Sequence, residues 1–313
     1  MKVFTSVAEV PDGYGPSAVT IGKFDGVHSG HRAVIGRLRE VAAARGLAAT
    51  VITFDRNPLE VLAPEKCPAA LVSNRQKLSV LAETGIDATL MVTFDRTLAD
   101  LPPEEFVHRI LVDRLHAAAV LVGSDFRFGA RGAGDVAMLR ELGERYGFTV
   151  ELIDDVRPEH GRRVSSTWIR ELLAEGDVAH ATQLLGHVPT VAGVVVHGAK
   201  RGRELGFPTA NLSPESEGLI PADGVYAGWL TDGGTRYPAA ISVGNNPTFE
   251  GVPQKQVEAY VLDEDLDLYG HTVEISFVER IRGMVAYAGI DPLIAQIGED
   301  VERARAILTA ETA

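Results

Sequence analysis

From residue 19 to about residue 186, short apolar runs alternate with stretches of helical periodicity. The runs 19–22, 49–54, 89–94, 119–123 and 149–153 are β-prone and bounded by turn-forming residues, which predicts strands. Between them, 31–44, 74–83, 103–115 and 136–146 carry apolar residues at helical spacing. Ser73 and Asp135 stand where N-caps belong, and Gly46, Gly85 and Gly147 where helices end. Such alternation implies a parallel sheet with helices on both faces, an α/β domain. After residue 186 the pattern changes. The runs 188–197, 224–230, 237–243, 257–262 and 273–278 read as strands with no helices between them. Val273, Ile275 and Phe277 alternate with Glu274 and Ser276, the period of a half-buried strand. Asp223-Gly224, Asp232-Gly233-Gly234 and Asn245-Asn246-Pro247 supply turns. This half predicts an antiparallel sheet or small closed barrel. A last helix, 292–308, sets Ile294, Ile297, Val301, Ala304 and Leu308 on one face to pack against it. The expected division is 1–186 and 187–313.

Composition narrows the function classes. A chain of 313 residues, 45% hydrophobic and 23% charged, holds enough apolar mass for two cores. Its net charge of −13 argues against nucleic acid as the main partner, so any cationic site must be local. With one cysteine, Cys67, an intrachain disulfide is impossible. The opening residues lack the apolar core of a signal peptide, and no run is long enough to span a bilayer. The expectation is a cytoplasmic protein with small-molecule partners and no membrane; self-association is left open.

Three stretches of the first half carry candidate chemistry. The first, G-K-F-D-G-V-H-S-G-H (22–31), follows a strand and leads into a helix. Gly22 and Gly26 allow a tight turn, and a helix start presents N–H groups and a positive dipole end to an anion. His28 and His31, three residues apart, share a face of a helical turn and suit nucleotide phosphates. The second, G-S-D-F-R-F-G (123–129), follows another strand end and offers Asp125 and Arg127. The third, V-S-S-T-W-I-R (164–170), combines capping hydroxyls at Ser165 or Ser166 with Arg170 one turn on. In the second half, H-G-A-K-R-G-R-E-L-G-F-P-T-A-N-L (197–212) gathers Lys200, Arg201 and Arg203 around glycines, which suggests an anionic ligand. Thr209 and Asn211, two apart, point the same way if extended. A hydroxyl and an amide oxygen are suitable ligands for Mg²⁺ that also keeps waters and phosphate oxygens.

These motifs, in this order, resemble those of the bacterial FAD synthetases, the bifunctional riboflavin kinase/FMN adenylyltransferases. The three N-terminal stretches resemble the adenylyltransferase module, which implies a Rossmann-like nucleotidyltransferase domain. L-G-F-P-T-A-N, G-V-Y-A-G, N-N-P-T-F and V-E-A-Y-V-L-D resemble the riboflavin kinase module. The resemblance covers nearly the whole chain. It implies that riboflavin is phosphorylated by ATP to FMN in the second half, and that FMN is adenylylated by a second ATP to FAD in the first. Glu258 matches the family's catalytic glutamate, the base for the riboflavin hydroxyl. Thr209 and Asn211 would hold Mg²⁺, and Gly198, Lys200, Gly202, Arg203, Gly206 and Pro208 would wrap the ATP phosphates. In adenylylation His28, His31 and Arg170 would act on the reacting phosphates. Gly22, Lys23, Phe24, Asp25, Gly26, Ser166 and Thr167 would bind ATP. Asn57, Asp125, Phe126, Arg127 and Arg282 are assigned to the flavin or its pocket.

The match departs in places. Many family members read T-F-D-P-H-P where this chain has T-F-D-R-N-P (53–58), so Asn57 replaces a frequent histidine. If that histidine touches ATP, adenylylation slows here, and Lys23 partly offsets the loss. Near the flavin, R-G-M-V-A-Y (282–287) lacks the acid and lysine of the family's R-x-x-E-K-F. Two alternatives follow: a riboflavin kinase with weak or lost adenylyltransferase activity, or a flavin- or nucleotide-binding regulator without turnover.

Overall fold

The computed structural model describes residues 1–154, 161–198, 202, 205–244 and 255–312. The chain divides into two compact units. One comprises Met1–Ala70 and Asn74–Ser165, the other Leu71–Ser73 and Ser166–Ala313.

The first unit is built on six strands: β1 (Lys2–Phe4), β2 (Ser17–Ile21), β3 (Ala48–Phe54), β4 (Ala88–Val92), β5 (Ala117–Gly123) and β6 (Thr149–Ile153). All pair in parallel, in the order β1-β4-β3-β2-β5-β6. Parallel sheets bury both faces, which is why these strands read as continuous apolar runs. On one face Ala18, Val51 and Leu121 meet Ile35, Leu38 and Ala42 of helix α1 (Ser29–Arg45), together with Leu81 of a later helix. On the other, Val19, Ile52, Leu90 and Val120 meet Val107, Ile110, Leu139 and Leu142. The predicted helix 103–115 is Pro103–Phe106 continued as a π-helical segment, Val107–Val112. β1, three residues long, was too short to show in the periodicity. In strand order β2 lies between β3, the next strand in the chain, and β5, which comes three strands after β2. The winding direction reverses there, and the carboxyl ends of β2 and β5 flank the crevice such a reversal creates.

The second unit is a closed antiparallel barrel, β10-β11-β8-β7-β12-β9. Its strands are β7 (Thr190–Val196), β8 (Ala210–Leu212), β9 (Gly224–Asp232), β10 (Thr235–Gly244), β11 (Gln256–Val261) and β12 (Thr272–Arg282). Gly233 and Gly234 both take positive φ, 55° and 88°, the two-residue turn that matches strand twist in a hairpin. The terminal helix, Ile290–Thr312, packs Ala304 and Leu308 on Val225, Ala227 and Ile281, the face expected from its spacing. Asn245, Asn246 and Pro247 lie outside the described residues.

Two helices, Ser166–Glu175 and Val178–Leu185, group with the barrel although the sequence reads them as the end of the first half. The Arg280 guanidinium of β12 donates to the Glu175 carbonyl (3.0 Å) and the Asp223 carbonyl (2.6 Å). The Ala222 N–H donates to the Leu173 carbonyl. The short stretch Leu71–Ser73 also belongs to this unit. Leu219 N–H donates to the Leu71 carbonyl, and Ser73 Oγ donates to Glu217.

Candidate active sites

The first site forms where β2 ends. Gly26 takes φ 82°, and the non-glycine residues Phe24 and Val27 also sit at positive φ, 48° and 43°. Such backbone is held only where packing fixes it, and both side chains are fully buried against Ile35 and Leu38. The turn is therefore rigid, and its glycines and aspartate rim it. Helix α1 starts at Ser29, earlier than expected, with His28 as its N-cap. His28 Nδ1 accepts the His31 N–H at 3.3 Å. This fixes the neutral His28 tautomer, with its proton on Nε2. The two rings stack at 3.7 Å. A Cβ at Gly30 would lie 3.1 Å from the His28 ring, so the glycine of H-S-G-H is what lets this ring lie flat over the helix start.

Both imidazoles are held neutral. Burial, then the Arg163 cation, lowers His28 to about 4. His31 is pushed well below its ordinary value by burial, then by His28, Lys23, Arg163 and Lys77. Its buried Nδ1 has no hydrogen-bond partner among the described residues. Stacked rings that close together cannot readily both be charged.

The Gly123–Gly129 loop comes from the neighbouring strand, β5. Asp125 is not a free pocket acid: Arg163 donates to it at 2.8 Å and lowers its pKa. Phe126 stacks on Phe128 at 5.5 Å and packs against the core, and Arg127 pairs with Asp135 at 3.6 Å. Arg163, which no sequence motif singled out, thus holds the second loop while its charge acts on both histidines of the turn. Asn57 has a local duty at the end of β3. It caps helix α2 (Pro58–Leu62): Oδ1 accepts the Leu59 N–H, and Glu60 reaches back to the Asn57 N–H. Lys23 is exposed, and its carbonyl accepts Thr53 Oγ1. Ser166 and Thr167 open the helix Ser166–Glu175, with half-buried Arg170 one turn along; all three lie in the barrel unit.

The second site lies on the barrel strands. β8 and β11 pair so that Asn211 stands opposite Glu258 and Ala210 opposite Ala259. Directly paired residues project to the same face. Val257 and Ala259 are buried on the opposite side. Thr209 Oγ1 donates to Glu258 Oε2 at 3.4 Å, and Asn211 Nδ2 donates to the Thr209 carbonyl (3.1 Å) and Oγ1 (3.2 Å). Asn211 Oδ1 then faces Gly198, where a Cβ would lie 2.5 Å away. Gly198 therefore leaves that oxygen room. Hydroxyl, amide and carboxylate oxygens at one spot are a hard donor set that fits Mg²⁺. Gly202, Pro208, Thr209 and Asn211 line a cleft together with Glu264, Asp265, Leu266 and Tyr269. These last four carry no motif that singled them out. Gly206 takes φ 88° in the tight loop closed by the Phe207 N–H on the Gly202 carbonyl. Lys200, Arg201 and Arg203 lie outside the described residues. The Arg282 guanidinium holds Asp300 of the terminal helix through Nε (2.9 Å) and Nη2 (2.6 Å), with Tyr287 at 5.9 Å.

A parallel sheet with a switch-point crevice, followed by a closed barrel that brings Thr209, Asn211 and Glu258 together, defines a two-module transferase. The FAD synthetase family model matches residues 12–168, and the riboflavin kinase model matches residues 185–308. The chain is 42% identical to the bifunctional riboflavin kinase/FMN adenylyltransferase of Escherichia coli (strain K12), over 92% of this chain and 91% of that one. It is 36% identical to the protein of that name from Listeria monocytogenes, over 92% and 91%. A crystal structure described as a macrolide-efflux protein from Streptococcus pneumoniae superposes with a TM-score of 0.85 at 29% identity, covering 97% of this chain and 98% of that one. Among the described residues no helix is long and apolar enough to cross a membrane. The chain belongs to the bifunctional riboflavin kinase/FMN adenylyltransferase family.

Proposed function

We propose that this chain makes FMN on its barrel unit and converts it to FAD on its sheet unit, using one ATP for each step. The presence of both family modules supports two activities. The observation that carries the residue assignment is Glu258 facing Asn211 and in contact with Thr209. In the kinase step the riboflavin 5′-hydroxyl attacks the γ-phosphorus of ATP and ADP leaves. An alcohol is a weak nucleophile near neutral pH, so Glu258 accepts its proton as the new O–P bond forms. Thr209 and Asn211 would hold Mg²⁺, which when bound neutralises charge on the ATP phosphates. Gly198, Gly202, Gly206 and Pro208 would let the phosphate tail approach backbone, with Lys200 and Arg203 as its cations.

In the adenylyl step a phosphate oxygen of FMN attacks the α-phosphorus of ATP and pyrophosphate leaves. The nucleophile is already an anion and needs no base. His28 meets it as a neutral N–H donor through Nε2, and neutral His31 lies stacked beside it. The positive charge comes from Lys23, Arg163 and the start of α1. Ser166, Thr167 and Arg170 would bind phosphate oxygens, and Gly22, Asp25 and Gly26 would shape the nucleotide seat around buried Phe24. Phe126, Arg127 and Asp125 would line the second substrate's pocket, and Arg282 would position the barrel's flavin wall through Asp300. We place the kinase module at 187–313 and the protein in the cytoplasm, where ATP and Mg²⁺ are available.

A chromatographic time course with riboflavin, ATP and Mg²⁺ tests the reading. FMN should rise first and then convert to FAD. FMN accumulating with no FAD would remove the sheet unit's assignment, and no conversion would remove both.

A further inference from the structure

Helix α3 (Asn74–Glu83) runs back from the end of β3, so its N-terminal turn lies at the carboxyl edge of the sheet, the edge that holds the histidine turn. Its buried face presents Leu81 to the core and, one turn earlier, Lys77. A lysine there is doubly disfavoured. It is only 6% exposed, which costs the hydration of its charge, and it stands in the first turn of a helix, where the dipole repels a cation. Local rules broken without local gain mark functional positions.

The surroundings say what the charge is for. Lys77 Nζ donates to the Phe54 carbonyl, the last of β3, at 2.8 Å. Burial lowers its pKa, while Asp25 of the glycine turn, Asp55 after β3 and Glu60 of α2 act to keep it protonated. Its field reaches His31 along with those of His28, Lys23 and Arg163. Lys77 therefore sits at the carboxyl end of β3, within electrostatic reach of the turn's aspartate and its second histidine.

We propose that Lys77 is a positioning residue for adenylyl transfer: its buried ammonium holds the carboxyl end of β3 and supplies fixed positive charge behind the phosphates, leaving His28 and His31 as neutral donors. The proposal rests on adenylyl transfer taking place on the sheet unit. Lys77→Met and Lys77→Gln in the full chain test it. Glutamine removes the charge but leaves a polar donor, one bond shorter, directed at the Phe54 carbonyl, and it serves if the methionine variant does not fold. Both variants should lower kcat for FMN to FAD on the order of 10²-fold with a smaller change in KM for ATP. Lys77→Arg should recover part of the loss, and riboflavin phosphorylation by the same preparations should be unchanged. The acid limb of the adenylylation pH profile should move to higher pH, because an imidazole freed from a nearby cation gains its proton more readily. Wild-type turnover in Lys77→Met or Lys77→Gln would overturn the proposal. So would a loss that arginine does not relieve, with the acid limb unmoved and the melting temperature lowered in step, since that is a packing role. Absence of FAD with the wild-type chain would instead overturn the assignment of adenylyl transfer itself.

Discussion

The two sites are assembled in opposite ways. In the sheet unit the candidate groups come from turns beyond strand ends: His28 and His31 after β2, Asp125 after β5, with Arg163 bridging to them from a later segment. In the barrel Asn211 and Glu258 stand on the strands themselves, opposite one another in register. The nucleophiles account for the contrast. A riboflavin hydroxyl needs a base within hydrogen-bond reach, and a backbone ladder fixes such a distance well. An FMN phosphate needs a field of donors and cations, which loops around a crevice can supply from several directions.

The largest effect should come from attacking the contrast at its sharpest point. Glu258→Gln removes the proposed base while keeping the shape, so riboflavin phosphorylation should fall on the order of 10²- to 10⁴-fold. FAD formation from added FMN should be untouched. Equal loss of both activities would show that the two sites are not chemically separate.

A smaller effect should separate the units by pH. His28 has a folded pKa near 4 against 6.5 for an ordinary imidazole, so between those values the unfolded chain binds a proton that the folded one refuses. Its contribution is fully present above pH 6.5 and is lost as pH falls through about 4, a loss on the order of 3 kcal/mol. Both tryptophans, Trp168 and Trp229, lie in the barrel unit. Urea unfolding followed by helical circular dichroism should therefore weaken on acidification before the tryptophan fluorescence does, and His28→Gln should reduce the gap.

The contrast also bears on what could be read before the structure. Strands 149–153 and helices 74–83 and 136–146 were fully legible, because they carry a single clean period between unambiguous caps. The histidine turn and the P-T-A-N stretch were legible because their chemistry is local in sequence. Lys77 was not: in N-R-Q-K it reads as one more solvated cation, and only the sheet beneath it makes it a buried one. The ion pairs of Asp125 and Arg282 were not legible, because their partners, Arg163 and Asp300, are distant in sequence. The helices 166–185 continue the α/β rhythm, yet Arg280 of β12 ties them to the barrel, a contact that no periodicity records.

The smallest effect concerns Asn57. As a capping residue it should cost about 1 kcal/mol when replaced by alanine, a shift of a few degrees in melting temperature. Adenylyl transfer should stay at the wild-type rate. A large kinetic loss in Asn57→Ala would return this residue to the flavin pocket.

The stretch Leu71–Ser73 has a consequence for the order in which the protein is built. It leaves the ribosome early, but its partners Glu217 and Leu219 are made late. Leu71 and Val72 are both buried in the finished molecule, and the stretch groups with the barrel unit. A nascent chain halted after the sheet is complete would therefore carry this apolar stretch without those two later-made partners.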